Sequence, residues 1–102
     1  MDYKVNICPG IVAIDLSKIG DMPIYYIVDR MVEEYMRDHD NPPVIKMNAY
    51  TADKLISSLP IQWYNIKEIT IPPEGYQGIY HGYQFNADET VPNDIIYLEG
   101  GN

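Results

Sequence analysis

The chain has 102 residues, a single cysteine and a formal net charge of −8. Its seven Lys and Arg are scattered, with no basic stripe to neutralise phosphates, which argues against direct nucleic-acid binding. Hydrophobic residues at 46% against 22% charged predict a folded single domain over residues 1–102 rather than a disordered chain.

Lone Cys8 cannot form an internal disulfide and fits a reducing cytosol. The apolar stretches are broken by Pro, Gly, Asp or Lys before they could span a bilayer, and the first residues lack a basic region followed by an apolar core. A protein without membrane segment or signal peptide, in the cytoplasm of its cell, is the expectation.

Residues 4–16 read as two short extended pieces around Pro9-Gly10. Val5 and Ile7 alternate with polar neighbours, and 11–16 are rich in β-branched residues. Asp21 is placed as an N-cap ahead of Pro23. From Ile24 the residues Ile27, Val28, Met31, Val32, Tyr35 and Met36 follow at helical spacing, with Asp29, Arg30, Glu33, Glu34 and Arg37 opposite. This predicts one long amphipathic helix over residues 22–38. Met22, Met31, Met36 and Met47 are expected to fill core gaps.

A short strand over 44–47 follows, and then Asn48 as the cap of a second helix in which Ala52, Leu55, Ile56 and Leu59 share a face. Pro60 ends that helix. Ile66, Ile69 and Ile71 suggest another strand, and two more are expected near 78–85 and 94–98, joined by an acidic loop. The predicted class is α+β: one long amphipathic helix on a small, mostly antiparallel sheet, with a second short helix.

No catalytic, metal or cofactor grammar emerges. His39 among Asp38, Asp40 and Asn41 reads as a solvated helix-end loop, and His81 as a strand residue with no spacing rule tying it to Asp88 or Glu89. Gly75, Gly78 and Gly82 do not match a phosphate-loop spacing, and Cys8 lacks an ordered base. The tyrosines carry more information: there are ten, against one Phe and one Trp. Trp63, Tyr64, Tyr76, Tyr80 and Tyr83 form a group suited to a protein–protein contact, because a partner can bury each ring while its polar tip stays satisfied.

The order of the strand Val44-Ile-Lys-Met-Asn48, the short helix, Gly82-Tyr-Gln-Phe85 and Val91-Pro-Asn-Asp-Ile-Ile-Tyr-Leu98 resembles the peripheral domain of tailed-phage major capsid proteins of the HK97 type. Pro-Val does not follow Gly82 and Pro does not follow Asn48, as that family pattern has them. The extended arm and axial domain of a shell-forming subunit have no counterpart here. The resemblance implies a small phage or prophage protein keeping a peripheral-domain-like module, in the virion or the host cytoplasm. The sequence leaves two functions open. One is a non-enzymatic structural or interaction protein that contacts itself, as a homo-oligomer, or another protein. The alternative is an acidic inhibitor occupying a basic, nucleic-acid-binding site on a host enzyme or defence complex.

Overall fold

The computed structural model describes residues 2–60, 69–70 and 77–100. Two antiparallel strands open the chain, β1 (Lys4–Cys8) and β2 (Ile11–Asp15), joined through Pro9-Gly10 with Gly10 at a φ of 86°. A 3-10 turn (Leu16–Lys18) leads toward α1 (Ile24–Asp38). Next come β3 (Pro43–Met47), α2 (Ala49–Ser58), the two-residue β4 (Ile69–Thr70), β5 (Gln77–Tyr80), β6 (Tyr83–Ala87) and β7 (Ile95–Gly100). The class is α+β. Among the described residues no helix is long and apolar enough to cross a membrane.

The described strands form one seven-stranded sheet in the order β1-β2-β7-β3-β6-β5-β4. Every pairing is antiparallel except β3 with β6. The last strand in sequence thus lies between β2 and β3 and joins the opening hairpin to the rest of the sheet.

Register fixes what each face carries, because alternate side chains point to opposite sides. Ile14 opposes Ile96, Val12 opposes Leu98, and Ile45 opposes both Leu98 and Phe85. These side chains are buried in one core cluster with Ile27, Val28, Met31, Val32 and Tyr35 of α1 and Ala52 and Leu55 of α2. Each fully buried side chain of this size contributes about 1.5–3 kcal/mol by leaving water.

Some local expectations need correction. The first helix begins at Ile24 with Pro23 at its cap position and no side-chain cap bond, so Asp21 does not cap it. Met22 and Met36 are exposed, outside the core. Cys8, expected from the sequence to be a small, half-buried strand residue, is exposed as well. His81 and Gly82, at φ of 49° and 83°, form the two-residue loop of a hairpin. Positive φ at both positions is the mark of a type I′ turn, whose twist suits the flanking strands. The stretch 78–85 is therefore two strands, and His81 is a turn residue. Residues 61–68 and 71–76 lie outside the described residues, and with them Trp63, Tyr64, Tyr76 and most of the strand expected around Ile66 to Ile71.

Buried Asn48 ties the architecture together. Its Oδ1 accepts from the Thr51 backbone N–H at 2.8 Å and caps α2. Its Nδ2 donates to the Val91 carbonyl at 3.0 Å and to Asn93 Oδ1 at 2.7 Å. Nearby, the Thr51 hydroxyl accepts from the Asp94 N–H at 2.9 Å and Lys54 pairs with Asp94 at 2.6 Å. The Asp94 carbonyl accepts from the Leu16 N–H at 2.9 Å. The segment preceding β7 is thereby held to the start of α2 and to the end of β2.

Removing this amide should be costly. Asn48→Ala loses the cap and leaves the Val91 carbonyl without its donor, and should lower unfolding free energy by about 2–3 kcal/mol. Asn48→Ser retains a capping oxygen but is too short to reach residue 91, and should lose about half as much. Urea denaturation of the two variants checks this ranking; equal losses would show that the bonds to Val91 and Asn93, and not the cap, carry the effect.

Candidate functional site

Two features outside the core carry chemistry. The first is a cleft between α1 and the β5–β6 hairpin, lined by Asp29, Val32, Glu33, Tyr80, His81 and Tyr83, with a volume of about 260 Å³. The hairpin builds one wall. Tyr80 and Tyr83 oppose each other across it, so both rings lie on the helix side of the sheet. The Tyr80 hydroxyl donates to Asp29 Oδ1 at 3.0 Å, and the Tyr83 hydroxyl donates to Met36 Sδ at 3.1 Å. The His81 ring meets the Tyr80 ring edge-on, with centroids 4.7 Å apart. Asp29 and Glu33 stand four residues apart on α1 and share a face of that helix.

The electrostatics of the cleft follow from this packing. Burial pushes the Asp29 carboxyl above its ordinary value, and the Glu33 charge adds to the rise; the Tyr80 hydrogen bond and the His81 charge oppose both. Burial, with the adjacent Asp29 charge, also raises the Tyr80 phenol, which stays protonated and able to donate. The described Lys–carboxylate pairs are Lys4–Glu34, Lys46–Glu99 and Lys54–Asp94, so neither Asp29 nor Glu33 takes part in one among the described residues. Among those residues no group of three or more His, Cys, Asp or Glu is placed to hold a metal.

The second feature lies along β1 and on the sheet face turned away from the helices. Val5 opposes Ala13, Ala13 opposes Tyr97, and Tyr97 opposes Lys46. Val5 is 41% exposed, and Ile79, on the same face in β5, is 45% exposed. Ile7 sits where the β1–β2 register shifts between Asn6 and Cys8 and is 52% exposed. Among the described strands β1 is an edge of the sheet, so one of its sides offers backbone N–H and C=O groups to an added strand.

The tyrosines singled out from sequence divide accordingly. Tyr80 is only 1% exposed and belongs to the core, which corrects its expected place on an open strand surface. Tyr83 is half-buried against α1. Sequence reasoning missed Asp29, Glu33 and Val32 as partners of the hairpin, and missed Val5, Ile7 and Tyr97 as exposed or half-exposed surface. The signal for the cleft was present in Tyr-His-Gly-Tyr, an x-Gly dipeptide between two aromatic strand residues. His81 meets Asp29 and Glu33 there, while Asp88 and Glu89 follow the far end of β6.

No protein-family model, curated protein or solved structure matches the chain. Its functional reading therefore rests on the geometry.

The half-buried carboxyl gives a pH signature. An Asp with a raised value binds its proton more tightly folded than unfolded. Its stabilising contribution is full below the ordinary value of 3.8 and is lost as pH rises through the raised one. Asp29→Asn keeps an acceptor for Tyr80 without the charge, so its stability relative to the parent should climb across that window. Tyr80→Phe should cost about 1–2 kcal/mol at neutral pH by leaving the carboxylate without its donor. Denaturation of both variants at pH 3.5, 5 and 7 reads the two effects separately.

Proposed function

We propose that this chain is a non-enzymatic structural or protein-interaction protein, of phage type as its sequence pattern implies, which contacts a second polypeptide through β1 and the sheet face beside it. The supporting observation is the exposure of Val5 and Ile7 on an edge strand beside half-buried Ile11 of β2, with half-buried Tyr97 of β7 one strand further along the same face. Exposed β-branched residues on an unpaired edge favour addition of another strand, because backbone hydrogen bonds and side-chain burial then act together. In this reading α1 is the long amphipathic helix that backs the sheet and leaves its other face for the contact. Tyr97, rather than Tyr80, supplies the aromatic part.

The contact is a self-association or a complex with another protein, and salt separates it from the acidic-inhibitor reading. Two copies at −8 each repel, so salt should strengthen self-association by screening. Binding to a basic site weakens steeply with salt. The experiment is light scattering after gel filtration at low and high salt, with the parent and with Ile7→Lys. The expected result is a salt-tolerant oligomer that Ile7→Lys reduces to monomer without loss of folded structure. An oligomer indifferent to that substitution would remove β1 from the interface. A monomer in all conditions would move the assignment to a partner protein, and salt-sensitive capture on a cationic surface would favour the inhibitor.

A further inference from the structure

The cleft lies on the helix side of the sheet, away from the surface invoked above, and its chemistry points to a different ligand. We propose that it binds the guanidinium group of an arginine side chain presented by a partner polypeptide. The argument begins with size. At about 260 Å³ the cleft falls below the roughly 300–1,000 Å³ of sites for drug-sized ligands, and suits one long side chain.

The lining then selects the chemistry. Asp29 and Glu33 place two carboxylates on one side, one turn apart, neither in an ion pair with a described Lys or Arg. Val32 and the Tyr83 ring supply apolar surface for a methylene stem. A guanidinium is planar, presents donors in a fixed fork that matches carboxylates, and stacks on aromatic faces. The Tyr80 hydroxyl already donates to Asp29 Oδ1, which fixes that carboxyl in place before any ligand arrives. Burial of the carboxyl supports the same reading, since an arriving cation relieves a desolvated anion. An anionic ligand would meet both carboxylates and be repelled.

The test titrates isotope-labelled protein with N-acetyl-arginine methylamide, its neutral citrulline counterpart and free arginine, following backbone amide resonances. The arginine amide is expected to shift Val32, Glu33, His81 and Gly82, and the citrulline compound to leave them in place. Glu33→Gln, at an exposed helix position, should weaken the arginine amide by about tenfold and leave the fold unchanged, as its spectrum would show. Equal binding of citrulline, undiminished binding to Glu33→Gln, or shifts spread over the other surface carboxylates would overturn the proposal. Free arginine, which carries its own carboxylate, is expected to bind more weakly. Tighter binding of free arginine would assign the cleft to the amino acid and overturn the polypeptide reading.

Discussion

One buried side-chain amide governs how the two ends of this chain meet. Strand β7 must insert between β2 and β3, partners that precede it by more than 40 residues in sequence. Nothing local directs it there. The Asn48 side chain does, by capping α2 with its oxygen while its nitrogen holds Val91 and Asn93. Thr51 and Lys54, one turn apart on the same helix, hold Asp94, which adopts a φ of 64° to turn the chain into β7. Cap and loop are therefore one structure. The opening hairpin joins the same arrangement twice, through the Leu16 N–H to Asp94 and through the Gly10 carbonyl, which accepts from both the Gly100 N–H and the Tyr35 hydroxyl.

The same economy shapes the cleft. A type I′ turn places Tyr80 and Tyr83 opposite each other on one face, and both hydroxyls reach α1. Tyr80 is thereby a core residue with a polar tip, and that tip settles on a carboxylate drawn partly out of water. A Phe there would pack as well and leave Asp29 without its donor. The carboxyl is thus maintained by the hairpin, and the hairpin is anchored to the helix by the carboxyl, so the wall of the cleft and its charge come from one contact.

The sequence made parts of this legible and hid others for physical reasons. Asn48 was readable as a cap because a capping oxygen must stand just ahead of an apolar helical face. Its second role, across more than 40 residues, has no local signature. Pro9-Gly10 announced its turn, because few other residues tolerate that backbone. The two-residue turn at His81-Gly82 was masked by continuous β-propensity on either side, which reads as one strand when the turn is that short. Val5 and Ile7 showed the alternation of a half-buried strand, yet β1 is an edge whose Lys4 faces the helix side and pairs with Glu34. Periodicity reports that one face differs from the other; it does not report which face the core lies on. For the same reason Tyr80 was placed outside when register puts it inside.

The two faces of the sheet therefore offer opposite chemistries, and the net charge separates them. On the helix side, paired carboxylates attract cations, and salt weakens that attraction. On the other face, the Lys46–Glu99 pair at 2.7 Å lies between exposed aliphatic ground at the β1 end and exposed Ile79 at the β5 end. Association there, as proposed, would rely on apolar burial and strand pairing, and between like-charged copies would gain from screening. A ligand bound on the first face and a second copy on the second would respond to salt with opposite sign. Were both to bind, neutralising charge in the cleft would ease the approach of two copies. That coupling needs no conformational change, because it acts through the field of the whole molecule.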